Sequence, residues 1–145
     1  MSTEQPMGKI FTTLTITNRV DAGAAKRGLI SADRVRSITL ENVLVDMGAT
    51  TLCLPGDAID RLGLELLKEV PVNTETGMSS ARIFRDASIS LLGREGTFEC
   101  LELPGGGDAL LGVIPMEAMG LEPDLRSQTI KVLPAEMAET YLTIL

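Results

Sequence analysis

The residue whose surroundings most need a chemical explanation is Asp46, a carboxylate set inside an apolar run. It lies in Leu44-Val45-Asp46-Met47-Gly48-Ala49-Thr50-Thr51-Leu52-Cys53-Leu54-Pro55, where Val and Leu mark buried strand on both sides of the acid and the glycine. A buried, unpaired charge is so unfavourable that such a group is hydrogen-bonded, paired or protonated. Asp46 is therefore the acid-base candidate. A plain turn accounts for the same tripeptide, because Asp bonds its own backbone and Gly accepts positive φ.

Few other side chains are equipped for catalysis. The chain has no His, which removes the commonest general base and the commonest metal ligand. Cys53 and Cys100 are too few for a disulfide framework or a zinc site, and both sit in apolar strand-like stretches, where they read as small buried hydrophobes. No metal and no cofactor are expected. A net charge of −7 without a basic run argues against nucleic acid as a partner. The four aromatic residues, Phe11, Phe84, Phe98 and Tyr141, are too sparse for base stacking. Three successive glycines, Gly105 to Gly107, are not followed by the Lys-Ser/Thr of a phosphate loop.

The elements that position Asp46 follow from the apolar pattern. With 145 residues, the chain fits one domain with an aliphatic core. No apolar stretch nears the roughly 18 residues of a membrane span, and the start has no signal-peptide pattern, so a soluble, cytoplasmic protein is predicted. Residues 1–8 read as a disordered tail. Alternation over residues 9–18 predicts a Thr-rich strand, and residues 37–45 a second one that delivers Asp46. Residues 19–36 show no sustained period and read as a long solvent-facing connection with a helical turn near residues 31–35; Lys26, Arg27, Arg34 and Arg36 form a solvated face.

After the Gly48-Ala49 turn, residues 51–54 form another strand, and a short helix over residues 58–62 is capped by Asp57 and ended by Gly63. Residues 69–92 make a hairpin with a polar tip around Thr76, Gly77 and Met78. A strand over residues 97–103 follows. The chain then repeats itself: an apolar strand reaches Leu111-Gly112, Ile114-Pro115 opens a short helix, and Met119-Gly120-Leu121 closes it, as Leu62-Gly63-Leu64 closes the first. Only the first unit has an Asp. Residues 122–124 are expected to turn into a last core strand, residues 129–133, and residues 135–145 form a tail whose apolar end suits a partner chain. Asp57, Asp60, Asp86, Asp108 and Asp124 lie near turns or polar stretches and read as structural.

Over residues 8–134 the chain resembles the retropepsin-like aspartic proteases, in particular their small bacterial members. The marks are the strand into Asp46-x-Gly48-Ala49-Thr50, the strand ending Leu54-Pro55, the intervening hairpin, and Leu110-Leu111-Gly112 leading into a helix that ends Gly120-Leu121. The resemblance implies a mostly β fold, a closed β-barrel with one or two short helices and a flap hairpin, spanning residues 9–134. It also implies a homodimer in which each chain gives one Asp46 to an aspartic endopeptidase acting on a polypeptide substrate. Met47, Gly48, Ala49 and Thr50 would form the active-site turn, Leu111 and Gly112 its counterpart in the second repeat, and Thr76, Gly77 and Met78 the flap tip.

One residue departs from the family. A Ser or Thr usually follows the Asp there and ties the two turns of the dimer together, whereas this chain has Met47, whose thioether donates no hydrogen bond. That substitution keeps open a second expectation, an inactive retropepsin-like domain serving as a dimerisation or peptide-binding module.

Overall fold

The computed structural model describes residues 9–134; the tails expected over residues 1–8 and 135–145 lie outside the described residues. The described residues are mostly β with three short helices. In order it forms β1 (Ile10–Asn18), α1 (Arg19–Lys26), a 3-10 turn (Ala32–Arg34), β2 (Ser37–Val45), β3 (Leu52–Leu54), α2 (Gly56–Leu62), β4 (Glu65–Thr74) and β5 (Gly77–Leu91). Then come β6 (Arg94–Glu102), β7 (Leu110–Leu111), α3 (Val113–Ala118), β8 (Leu121–Asp124) and β9 (Thr129–Val132).

Seven strands form one sheet in the order β1-β2-β7-β3-β6-β5-β4, and β1 also pairs with β5. That pairing closes six strands into a ring and leaves β4 outside as an edge. One strand serves both roles because β5 carries a bulge: Asp86 takes φ 68°, and the register against β6 shifts between Phe84 and Ala87. The outer half of β5 pairs with β4 from Arg85 back to Gly77, and the inner half pairs with β1 from Ala87 to Ser90.

Alternation explains the ring's filling. Ile10, Leu14 and Ile16 of β1 point inward while Phe11 and Thr13 are exposed. They meet Val43, Leu52, Leu54, Ile89 and Leu111 from the other strands, with Ile59 and Leu62 of α2, Met116 of α3 and Met119 just beyond α3 closing the core. Each fully buried side chain of this size contributes about 1.5–3 kcal/mol. Cys53 and Cys100 are buried within this aliphatic core, as expected.

Three sequence expectations need correction. Residues 19–36 contain α1, a full helix, where a connection was expected. Asn18 caps it, accepting from the Asp21 N–H at 3.0 Å, with Asp21 in the first turn and Lys26 in the last. The helix buries none of its residues, so no apolar period announces it. Arg36 is more than a solvated charge, for its guanidinium and backbone N–H both bond the Asp21 carboxylate, at 2.8–3.0 Å.

The second correction concerns residues 122–124, which form a strand. Leu121 to Asp124 pair with Thr129 to Val132 as a separate two-stranded sheet, with Pro123 tolerated because the strand is an edge. Thirdly, α2 starts at Gly56 behind Pro55, so Asp57 sits in its first turn and does not cap it. Gly63 ends the helix in the left-handed conformation, φ 63°, as expected. Among the described residues, no helix is long and apolar enough to cross a membrane.

Candidate functional site

Asp46 stands one residue beyond the end of β2, where the ring opens. Strand β2 runs parallel to β7, with Leu44 beside Leu110 and Val45 beside Leu111. The Leu44 N–H donates to Ala109 O and the Asp46 N–H to Leu111 O, both at 3.0 Å. The backbone of Asp46 is thus fixed by the second repeat before the chain turns away.

The turn has the local bonding that its sequence allowed. The Gly48 N–H donates to Asp46 Oδ1 at 2.9 Å and the Ala49 N–H to Asp46 O at 3.0 Å, the local bonding of an Asp turn. The carboxylate is half-buried rather than sealed in the core. It lines a groove of about 340 Å³ with Lys9, Leu44, Val45, Met47, Pro123 and Leu125. Among the described residues, Asp46 is the one acid in that lining, and the others are apolar apart from Lys9.

The second repeat holds the turn from beneath. At the start of α3 the Val113 N–H donates to Ala49 O and the Ile114 N–H to Thr50 O, each at 2.9 Å. These amides belong to the first turn of a helix, which has no internal acceptors for them. The close approach depends on Gly112, since a Cβ there would stand 2.5 Å from Thr51 O and 2.6 Å from Ala49 O. Thr51 Oγ1 donates to Glu99 O at 3.1 Å, which ties the far end of the turn to β6.

The residues singled out by sequence therefore separate into two groups. Asp46, Met47, Gly48, Ala49 and Thr50 form one turn, and Leu111 and Gly112 lie directly against it. Thr76, Gly77 and Met78 stand at the exposed tip of the β4–β5 hairpin and are absent from the groove's lining. Their tip is held internally, by Thr74 Oγ1 donating to Gly77 O at 2.7 Å. Sequence reasoning missed Lys9, Pro123 and Leu125 as groove residues. The last two come from β8 and its turn, which are oriented when Asp124 Oδ1 accepts from the Arg126 and Ser127 N–H groups.

Electrostatically the site is simple. Burial, and then the Asp46 charge, push the Cys53 thiol up to about 11, so it stays protonated beneath the turn. Among the described residues, no group of three or more Cys, Asp or Glu side chains is arranged to hold a metal ion. What the groove offers is one accessible carboxylate on a rigid turn beside an apolar wall, suited to proton transfer or to a polar anchor. No protein-family model matches this chain, and a search of curated proteins finds no significant match.

Proposed function

We propose that the protein is a homodimeric aspartic endopeptidase of retropepsin-like fold, in which the six-stranded ring is the barrel and the β4–β5 hairpin the flap. The observation that carries this reading is the lone carboxylate: Asp46 is fixed by backbone bonds from both repeats, opens into a groove, and meets no second acid among the described residues of the groove's lining. Hydrolysis by an acid-base pair needs a second carboxylate, and a second copy of the chain supplies it.

Two carboxylates in contact cannot both ionise, so one keeps a proton. The ionised Asp46 takes a proton from a water that attacks the scissile carbonyl carbon. The protonated Asp46 of the other chain donates toward the carbonyl oxygen, and a proton is later passed to the leaving amine. Leu44, Val45, Pro123 and Leu125 give the substrate an apolar wall, and closure of the hairpin excludes water.

Met47 supports the alternative of an inactive binding module, because it brings a thioether where a hydroxyl would tie the turns together. The two readings separate in one assay. Unfolded protein substrate is incubated with wild type and with Asp46→Asn from mildly acidic to neutral pH, with and without a statine-type transition-state mimic. Cleavage by wild type alone, blocked by the mimic, establishes the protease. No cleavage by a folded dimer establishes the binding module.

A further inference from the structure

Sulfur is sorted in this molecule. Cys53 and Cys100 are buried thiols pushed up to about 11 and about 12 by that burial, so they present little thiolate to an oxidant. Met116 and Met119 are 0% exposed in the core. The accessible sulfurs among the described residues are Met47, 42% exposed, and Met78, 68% exposed. Met47 directly follows Asp46 and lines the same groove.

We propose that Met47 is an oxidation site through which hydrogen peroxide, or a related two-electron oxidant, controls the pairing of two copies of this chain at the Asp46 turn. This rests on the homodimer proposed above. A lone pair on Met47 Sδ attacks one peroxide oxygen, the S–O bond forms as the O–O bond breaks, and the departing hydroxide takes up the proton of the transferred OH. The products are methionine sulfoxide and water; sulfur is oxidised by two electrons and the peroxide is reduced.

The change replaces an apolar thioether with a polar group whose oxygen is a strong acceptor. Between two facing turns the Asp46 pair keeps a single proton, which its two carboxyl groups already share, so the sulfoxide oxygen must compete with a carboxylate for it, and burying that oxygen there short of a donor is unfavourable. Pairing and oxidation therefore compete for the same side chain. The separated chain exposes Met47 to oxidant, the paired chain shields it, and a methionine sulfoxide reductase reverses the block.

The test treats the purified full-length chain with hydrogen peroxide over a range of protein concentrations. Peptide mass mapping reads oxygen incorporation, sedimentation reads dimer affinity, and Asp46-dependent cleavage reads activity. Wild type, Met47→Leu and Met78→Leu are each compared with their own untreated sample. Wild type and Met78→Leu lose tenfold or more in dimer affinity as Met47 gains one oxygen, and Met47 oxidises more slowly at high protein concentration. Met47→Leu keeps its own starting affinity although Met78 is oxidised.

Treating oxidised wild type with a methionine sulfoxide reductase restores pairing, a readout independent of how well the Leu variant assembles. An oxidised Met47 in a dimer as tight as the untreated one overturns the inference, as does loss of pairing in Met47→Leu or failure of the reductase to restore it. A chain that is monomeric and without Asp46-dependent cleavage before oxidant is added overturns the homodimer itself, and the proposed control falls with it.

Discussion

The two repeats share a plan and use it for different ends. Each has an apolar strand, a glycine-bearing turn, a short helix and a left-handed glycine before the next strand: Gly63 at φ 63° after α2, Gly120 at φ 68° after α3. Each unit closes the core with two large side chains, Ile59 and Leu62 from α2 in one, Met116 of α3 and Met119 just beyond its end in the other. They differ at the turn. In the first repeat the turn projects a carboxylate toward the groove, and in the second Gly112 gives up its side chain so that α3 can press its amides onto the first turn. One half offers a carboxylate while its counterpart holds the turn that bears it in place.

That division can be broken from either side. Asp46→Asn removes the chemistry and keeps the turn, since the amide oxygen still accepts from Gly48. The proposed cleavage falls by about 10²–10⁴-fold while urea unfolding moves by less than about 0.5 kcal/mol. Met116→Ala attacks the supporting half by opening a cavity under α3. It destabilises by about 2–5 kcal/mol, read as a lower urea midpoint.

Gly112→Ala is a smaller and more local insult. Its new methyl group meets backbone oxygens that cannot swing away, so the α3 turn retreats from Ala49 and Thr50 at a loss of about 1–3 kcal/mol. Gly107→Ala is the control: nothing lies within 4 Å of a Cβ there, and stability stays within about 0.5 kcal/mol. Nuclear magnetic resonance shifts of the Asp46 to Thr50 amides respond to the first substitution and ignore the second.

The smallest effect lies away from both repeats. The Arg36 guanidinium holds the Asp21 carboxyl below its ordinary range, so the folded chain binds that proton less readily than the unfolded one. The resulting stabilisation is complete above the ordinary carboxylate range and is lost as pH falls through the lowered value. Thermal unfolding measured from neutral toward acidic pH shows a shallower acid decline in Asp21→Asn than in wild type. The Arg36 partner is half exposed, which keeps the difference modest.

Much of this arrangement was legible in the chain itself, for identifiable reasons. Strand β1 announces itself because one face is largely buried along its length, β2 because apolar residues alternate on either side of a bulge at Asn42, and Gly63 because a left-handed residue was needed there. The likeness of Leu62-Gly63-Leu64 to Met119-Gly120-Leu121 predicted that two units share a plan. Helix α1 stayed hidden because it buries nothing, so its only signals are Asn18 and Asp21 at its start. Strand β8 stayed hidden because Glu122-Pro123-Asp124 has the composition of a turn and owes its extended form to pairing with β9 across a short hairpin. Lys9 and Leu125 reach the Asp46 groove from opposite ends of the chain, a proximity that no local pattern carries.

The grip of α3 on the Asp46 turn also sets an order of events during synthesis. Asp46 leaves the ribosome well before residues 109–114, which supply the acceptors for Leu44 and Asp46 and the donors for Ala49 and Thr50. A nascent chain that ends before Ala109 has every residue of the acidic turn and none of these bonds to set its shape. The carboxylate is translated early and becomes organised late, so a growing chain does not present a finished site to the polypeptides around it.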